Sequence, residues 1–126
     1  MVQRTGRGAA RVVGPGFHRQ VYECVLKVPR GFVTTYGDVA GALGARQVAR
    51  HVGFALASLP PEAFDTPWHR VVNGRGMISI RGADARAIEQ RARLESEGIH
   101  FSKSGRILDF ETVRFVFERL PPSPHD

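Results

Sequence analysis

Apolar residues recur along the chain with a helical period in several stretches, separated by short runs rich in glycine, proline and threonine. Phe17, Val21, Cys24, Val25 and Val28 fall on one face of a helix over 17–28, which Pro29 and Gly31 stop. Thr34 or Thr35 can cap a short helix over 36–43, ended by Gly44. A longer helix over 45–59 buries Val48, Val52, Ala55, Leu56 and Leu59 before Pro60-Pro61. Two helices around a tight glycine turn predict a helix-turn-helix. Val71-Val72 and 77–80, around Asn73-Gly74-Arg75-Gly76, predict a β-hairpin. Residues 83–97 predict an amphipathic helix whose charged side carries Arg86, Glu89, Gln90, Arg93 and Glu97, with Gly98 as its stop. A second hairpin is expected with 99–101 and 106–108 flanking 102–105. A last helix over 109–120 would place Phe110, Val113, Val116, Phe117 and Leu120 on one stripe.

Composition narrows what these elements serve. A chain of 126 residues with 42% hydrophobic content suits one domain around one core. Residues 1–16 are too rich in Gly and Arg to dock and read as a flexible basic arm; 17–120 form the domain, and 121–126 a loose tail. The net charge is +6, and it is uneven: +5 over 1–30, +1 over 31–60, +2 over 61–93 and −2 over 94–126. A basic surface of this kind favours a polyanion such as nucleic acid. A single cysteine, Cys24, excludes an internal disulfide, and its place in the first apolar stripe reads as a small buried hydrophobe. The five histidines are scattered without ligand spacing, so neither a metal nor any other cofactor is expected. No apolar run approaches the ~20 residues of a membrane span, and the basic N-terminus lacks the apolar core of a signal peptide. The expected location is the cytoplasm, on the nucleoid in a bacterium.

Two stretches carry candidate chemistry. Ala45, Ala49 and Gly53 make one side of the second helix small, while Arg46 and Arg50 project from it. Such a helix can lie close in a groove of DNA, or it can pack tightly on a neighbouring helix with its arginines solvated. Pro67-Trp68-His69-Arg70-Val71-Val72 fixes an indole beside a titratable imidazole. Either a core-capping Trp or the wall of a site fits these six residues.

Five separated motifs, in order, resemble the O6-alkylguanine-DNA alkyltransferases: Thr35-Tyr36-Gly37, Ala49-Arg50-x-Val52-Gly53, Pro67-Trp68-His69-Arg70-Val71, Ile78-Ser79-x-Arg81 and Leu94-x-x-Glu97-Gly98. The resemblance covers about residues 17–108. The family's signature has Cys where this chain has Trp68, and that replacement marks the alkyltransferase-like proteins. The resemblance implies an α/β, mainly helical, winged-helix-like DNA-binding domain with a helix-turn-helix and short β-hairpins. It places the recognition helix in the minor groove, with Thr35, Tyr36, Ala45, Arg46, Ala49, Arg50 and Gly53 at the DNA. Arg50 would fill the stack left by a flipped base, and Tyr36 would help rotate the target nucleotide's phosphate. The lesion pocket would hold Tyr36, Trp68, His69, Arg81 and Glu97, with Glu97 as the partner of His69.

An indole offers one N–H donor and no competent nucleophile, so Trp68 can wall a pocket but cannot accept an alkyl group. The function expected from the resemblance is therefore non-enzymatic: a monomer that binds O6-alkylguanine in duplex DNA, flips it out, and flags it to nucleotide excision repair proteins. Two rivals stand beside it. One is an active alkyltransferase with a non-standard acceptor, the other a helix-turn-helix regulator that reads sequence.

Overall fold

The computed structural model describes residues 15–79 and 84–117. Residues 1–14 of the basic arm, the C-terminal tail, Ile80, Arg81, Ala83 and Leu120 lie outside these residues. The described chain is mostly helical with a small two-stranded sheet.

Helix α1 spans Pro15–Val25, and its predicted stripe of Phe17, Val21, Cys24 and Val25 is buried. It ends one turn earlier than the apolar period suggests. Lys27 and Val28 donate to the carbonyls of Cys24 and Val25, three residues back, at 3.1 and 3.0 Å. That tightened turn still buries Val28, and Pro29 disfavours a helical backbone at the residue before it.

Strand β1, Thr34–Thr35, runs straight into helix α2, Tyr36–Ala42. Thr35 makes the switch: its backbone is extended, and its hydroxyl oxygen accepts the Asp38 N–H at 2.9 Å. Gly44, at φ +91, reverses the chain as glycine alone does without strain. The second helix of the expected pair is then divided. A 3-10 turn, Arg46–Val48, precedes helix α3, Ala49–Ala57. Helices α1, α2 and α3 enclose the first core, which contains Val39, Ala40, Val48, Val52, Ala55 and Leu56.

Strand β2 is Val71–Val72, and here the expectation fails. It pairs in parallel with β1, Thr34 opposite Val71 and Thr35 opposite Val72, rather than folding back on 77–80 as a hairpin. The glycine-rich turn does form, held by the Asn73 side-chain oxygen, which accepts the N–H groups of Arg75 and Met77. Beyond it Met77 bridges to Arg106 instead. The reason lies in the two valines, both buried, whose side chains leave opposite faces of the strand. Val71 enters the first core, and Val72 a second one with Val33, Leu94, Ile99, Ile107 and Phe110. An apolar pair with both faces covered belongs between the two cores, not in a half-exposed hairpin.

Helix α4, Ala85–Ser96, starts from Asp84, whose carboxylate accepts the Arg86 N–H at 2.8 Å. The second expected hairpin is present as a bridge between Phe101 and Ile107. The last expected helix is not. Helix α5 covers only Phe110–Val113, after which Arg114 bridges in parallel to Val33, with Phe115 donating to the Val33 carbonyl at 2.7 Å. The β-branched and aromatic run after Arg114 fits an extended chain, and β1 offers it an open edge. Val116 consequently faces solvent.

Candidate nucleic-acid interface and pocket

The segment Pro67–Arg70 leaves its loop through a kinked Pro67, φ −79 and ψ 67, into a 3-10 turn over Trp68–Arg70. The turn presents the Trp68 ring to a cavity of about 170 Å³. Tyr36, the first residue of α2, and Gly53, in the middle of α3, form the opposite wall, with Leu56 and Gln90 deeper. Gly53 packs close to the Tyr36 ring: a Cβ there would sit 3.7 Å from it, in ordinary van der Waals contact. The Tyr36 hydroxyl lies 3.1 Å from the Ser79 hydroxyl. Arg86, on the first turn of α4, lays its guanidinium 4.4 Å from the Trp68 ring centroid, and Arg93 reaches 5.5 Å.

Behind Trp68 sits a buried polar cluster. His69 Nε2 is 2.9 Å from Glu97 Oε2, and Arg70 donates to the same carboxylate through Nε at 3.0 Å and Nη2 at 2.8 Å. Both His69 and Glu97 side chains are 7% exposed. Burial pushes the Glu97 carboxyl up, but hydrogen bonds from Arg70 and His69 and their charges win and bring it down from 4.5 to about 2. Glu97 is thus ionised and accepts. Burial also lowers the His69 pKa, only partly opposed by Glu97, which favours the neutral ring. A neutral imidazole facing a carboxylate carries its proton on Nε2, and no donor among the described residues reaches Nδ1. Arg70 Nη1 also holds the Val28 carbonyl at 2.8 Å, and Gln90 Nε2 holds the carbonyls of His69 and Val71 at 3.1 and 2.9 Å.

The expected site residues therefore divide. Tyr36, Trp68 and Gly53 meet at one cavity, with His69 and Glu97 paired behind it; Arg81 lies outside the described residues. On α3 Arg50 is exposed and Ala49 half-buried against the first core. Arg46 is exposed but leans back to Asp38 at 3.2 Å, and Asp38 is held more closely by Arg114 at 2.8 Å. Thr35 is buried and occupied by its cap. Ala45 departs from the small-faced helix expected, because the turn at Gly44 carries it into the core ahead of α3. Three residues that shape the site were missed: Arg70, Arg86 and Gln90. Only Gln90 left a signal. It falls with Ala87 and Leu94 at i, i+3 and i+7, the face of α4 that is buried.

Residues 16–99, from the start of α1 past the end of α4, match the family described as 6-O-methylguanine DNA methyltransferase, DNA binding domain. The chain belongs to that family. Among its relatives, the DNA base-flipping protein of Escherichia coli is 47% identical over 101 residues, covering 80% of this chain and 75% of that protein. Alkyltransferase-like protein 1 of Schizosaccharomyces pombe is 46% identical over 83 residues, 66% of this chain and 76% of the relative. The crystal structure of that S. pombe protein with damaged DNA containing O6-carboxymethylguanine superposes with a TM-score of 0.69 at 39% identity, over 79% of this chain and 94% of that one. Family membership accounts for the order of the five motifs, and it makes the cavity between Tyr36 and Trp68 the candidate receptor for a base.

Proposed function

We propose that this protein is a non-enzymatic receptor for O6-alkylguanine in duplex DNA. Helix α3 approaches the minor groove, Arg50 enters the stack, and Tyr36, held at the start of α2 by the Thr35 cap, meets the backbone of the target nucleotide. The alkylated base turns into the cavity walled by Tyr36 and Trp68, with Arg81 assigned to the same pocket by the family resemblance, and the His69–Glu97 pair fixes the wall from behind. Flipping costs a few kcal/mol, which a planar guanidinium in the gap can offset by stacking and hydrogen bonding. The monomeric complex with DNA then marks the site for nucleotide excision repair proteins in the cytoplasm.

One observation carries this reading: the aromatic ring of Trp68, not a thiol, faces the cavity beside the His69–Glu97 pair. The single cysteine, Cys24, is buried in the first core on α1, and burial pushes its thiol up to about 11. A thiol so placed is a poor acceptor. The test uses two duplexes that differ by one O6-methyl group on one guanine, at near-physiological salt, with intact protein mass read on the same samples. Tighter binding to the methylated duplex at constant mass supports the receptor. A gain of one methyl group would establish an alkyltransferase, and equal binding to both duplexes would leave a general DNA-binding domain.

A further inference from the structure

A second cavity, of about 550 Å³, adjoins the first. Ala57, Trp68, Asp84 and Arg86 line both, so the Trp68 ring and the Arg86 guanidinium form the partition between them. Leu59, Ala85 and Glu89 complete the second space.

Arg86 is held on the partition from two directions. Its guanidinium carbon lies over the indole, and its Nη2 donates to the Leu56 carbonyl at 2.9 Å, near the end of α3. A longer contact of 3.5 Å runs from Nη1 to the Ala57 carbonyl. These partners are neutral. Among the described residues no carboxylate lies within ion-pairing distance of the Arg86 guanidinium, although two acidic residues line the same cavity. Asp84 is used by the Arg86 backbone N–H, and Glu89 pairs with Arg93 at 2.6 Å. Arg86 thus brings to the partition a pre-organised cation with N–H groups to spare and, among the described residues, no direct ion-pair partner.

Building on the receptor reading, we infer that Arg86 is a specificity-determining residue that selects O6 substituents ending in a carboxylate. The guanine occupies the smaller cavity against Trp68. Its O6 substituent reaches the partition, where an acidic end meets the guanidinium in a charge-assisted hydrogen bond and a neutral end of the same shape does not. A DNA phosphate is the other anion Arg86 could hold, and it differs in one respect: every duplex carries it.

The experiment compares four otherwise identical duplexes, bearing guanine, O6-methylguanine, O6-carboxymethylguanine or its neutral isostere O6-carbamoylmethylguanine. Wild-type protein should bind the carboxymethyl duplex about two- to fivefold more tightly than the carbamoylmethyl one, the yield of a partly exposed charge pair. Arg86→Met, which keeps the bulk over Trp68, should bring that ratio close to one. Arg86→Lys should retain part of it, and circular dichroism of both variants checks that they are folded. A carboxymethyl preference that survives Arg86→Met overturns the inference, as does a wild type without the preference. A loss of similar size on all four duplexes assigns Arg86 to phosphate and overturns it too. Failure of the receptor reading itself shows separately, as equal wild-type binding to guanine and O6-methylguanine.

Discussion

Replacing Glu97 by Gln tests the buried cluster behind Trp68 with almost no change of volume. The carboxylate accepts two bonds from Arg70 and one from His69, and its side chain is nearly enclosed. In Glu97→Gln, the new amide would offer one acceptor oxygen and turn an NH2 toward donors, leaving the Arg70 charge without its partner. Breaking one side of a buried ion pair costs about 3–5 kcal/mol. The pKa gives a second route to the magnitude. A carboxyl brought from 4.5 to about 2 by folding contributes about 3 kcal/mol at neutral pH.

Because this pKa falls on folding, the contribution is present above 4.5 and is lost as the pH drops toward 2. About half of it should be gone near pH 3, and less than about 1 kcal/mol should remain near pH 2. His69 acts in the same direction. Its pKa is lowered in the fold, so protonation of the unfolded chain erodes stability as the pH falls below 6.5. That erosion occurs in both proteins and is deeper in Glu97→Gln, which lacks the carboxylate that opposes the lowering. The assay is urea unfolding of wild type and Glu97→Gln at pH 7, 4 and 3. The expected penalty is about 3 kcal/mol at pH 7, shrinking by about half at pH 3. A penalty that stays constant over this range, or is below about 1 kcal/mol at pH 7, would refute the electrostatic account.

Gly76, at φ +78, has the Phe110 ring against it, and a Cβ would lie 2.8 Å from its nearest carbon; Gly76→Ala should cost about 2–4 kcal/mol in thermal unfolding. Gly74→Ala, with open space around it, is the control and should cost less than about 1 kcal/mol, so equal shifts would contradict the clash. Gln90→Leu strands the carbonyls of His69 and Val71 and should lower stability by about 2 kcal/mol; an unchanged denaturation midpoint would mean that those bonds contribute little. Arg50→Ala should reduce the preference for an O6-methylguanine duplex over the unmodified one by about tenfold or more, and Arg50→Lys should recover little, since it keeps the charge without the stacking plane. Equal losses on both duplexes would make Arg50 a phosphate contact.

Local signals served the sequence reading well where a single segment decides the outcome. The stripe of α1, the Thr35 cap, the reversal at Gly44 and the stop at Gly98 all depend on neighbours within one or two turns. The reading failed where two segments distant in sequence compete for the same partner. Val71-Val72 could pair with the chain beyond the glycine turn, but the strand it joins is Thr34-Thr35. The C-terminal stripe has a helical period, yet Val33 captures Arg114 and Phe115 as extended chain. The site shows the same division. Tyr36, Trp68, His69 and Glu97 were placed by resemblance, and no periodicity would have brought them together. Arg70 and Arg86 looked like surface charges, because what makes them structural is a carbonyl or a ring from another part of the chain.

The cluster behind Trp68 has a mechanical role that stands apart from any chemistry. Glu97 is the C-cap of α4, where the helix dipole disfavours a negative charge, and burial disfavours it further. Arg70 is what makes the position tenable, and in doing so it ties the 68–70 turn to the end of α4 and, through Val28, to the turn after α1. Gln90 adds bonds from the middle of α4 to the carbonyls on either side of Arg70. The backbone that carries Trp68 is thereby anchored to two helical elements. A receptor that discriminates by stacking and shape needs such a wall, since a ring free to shift would accept a normal base and a modified one alike. In the proposed receptor the His69–Glu97 pair steadies the indole wall, and its contribution should register in stability and in the sharpness of lesion discrimination.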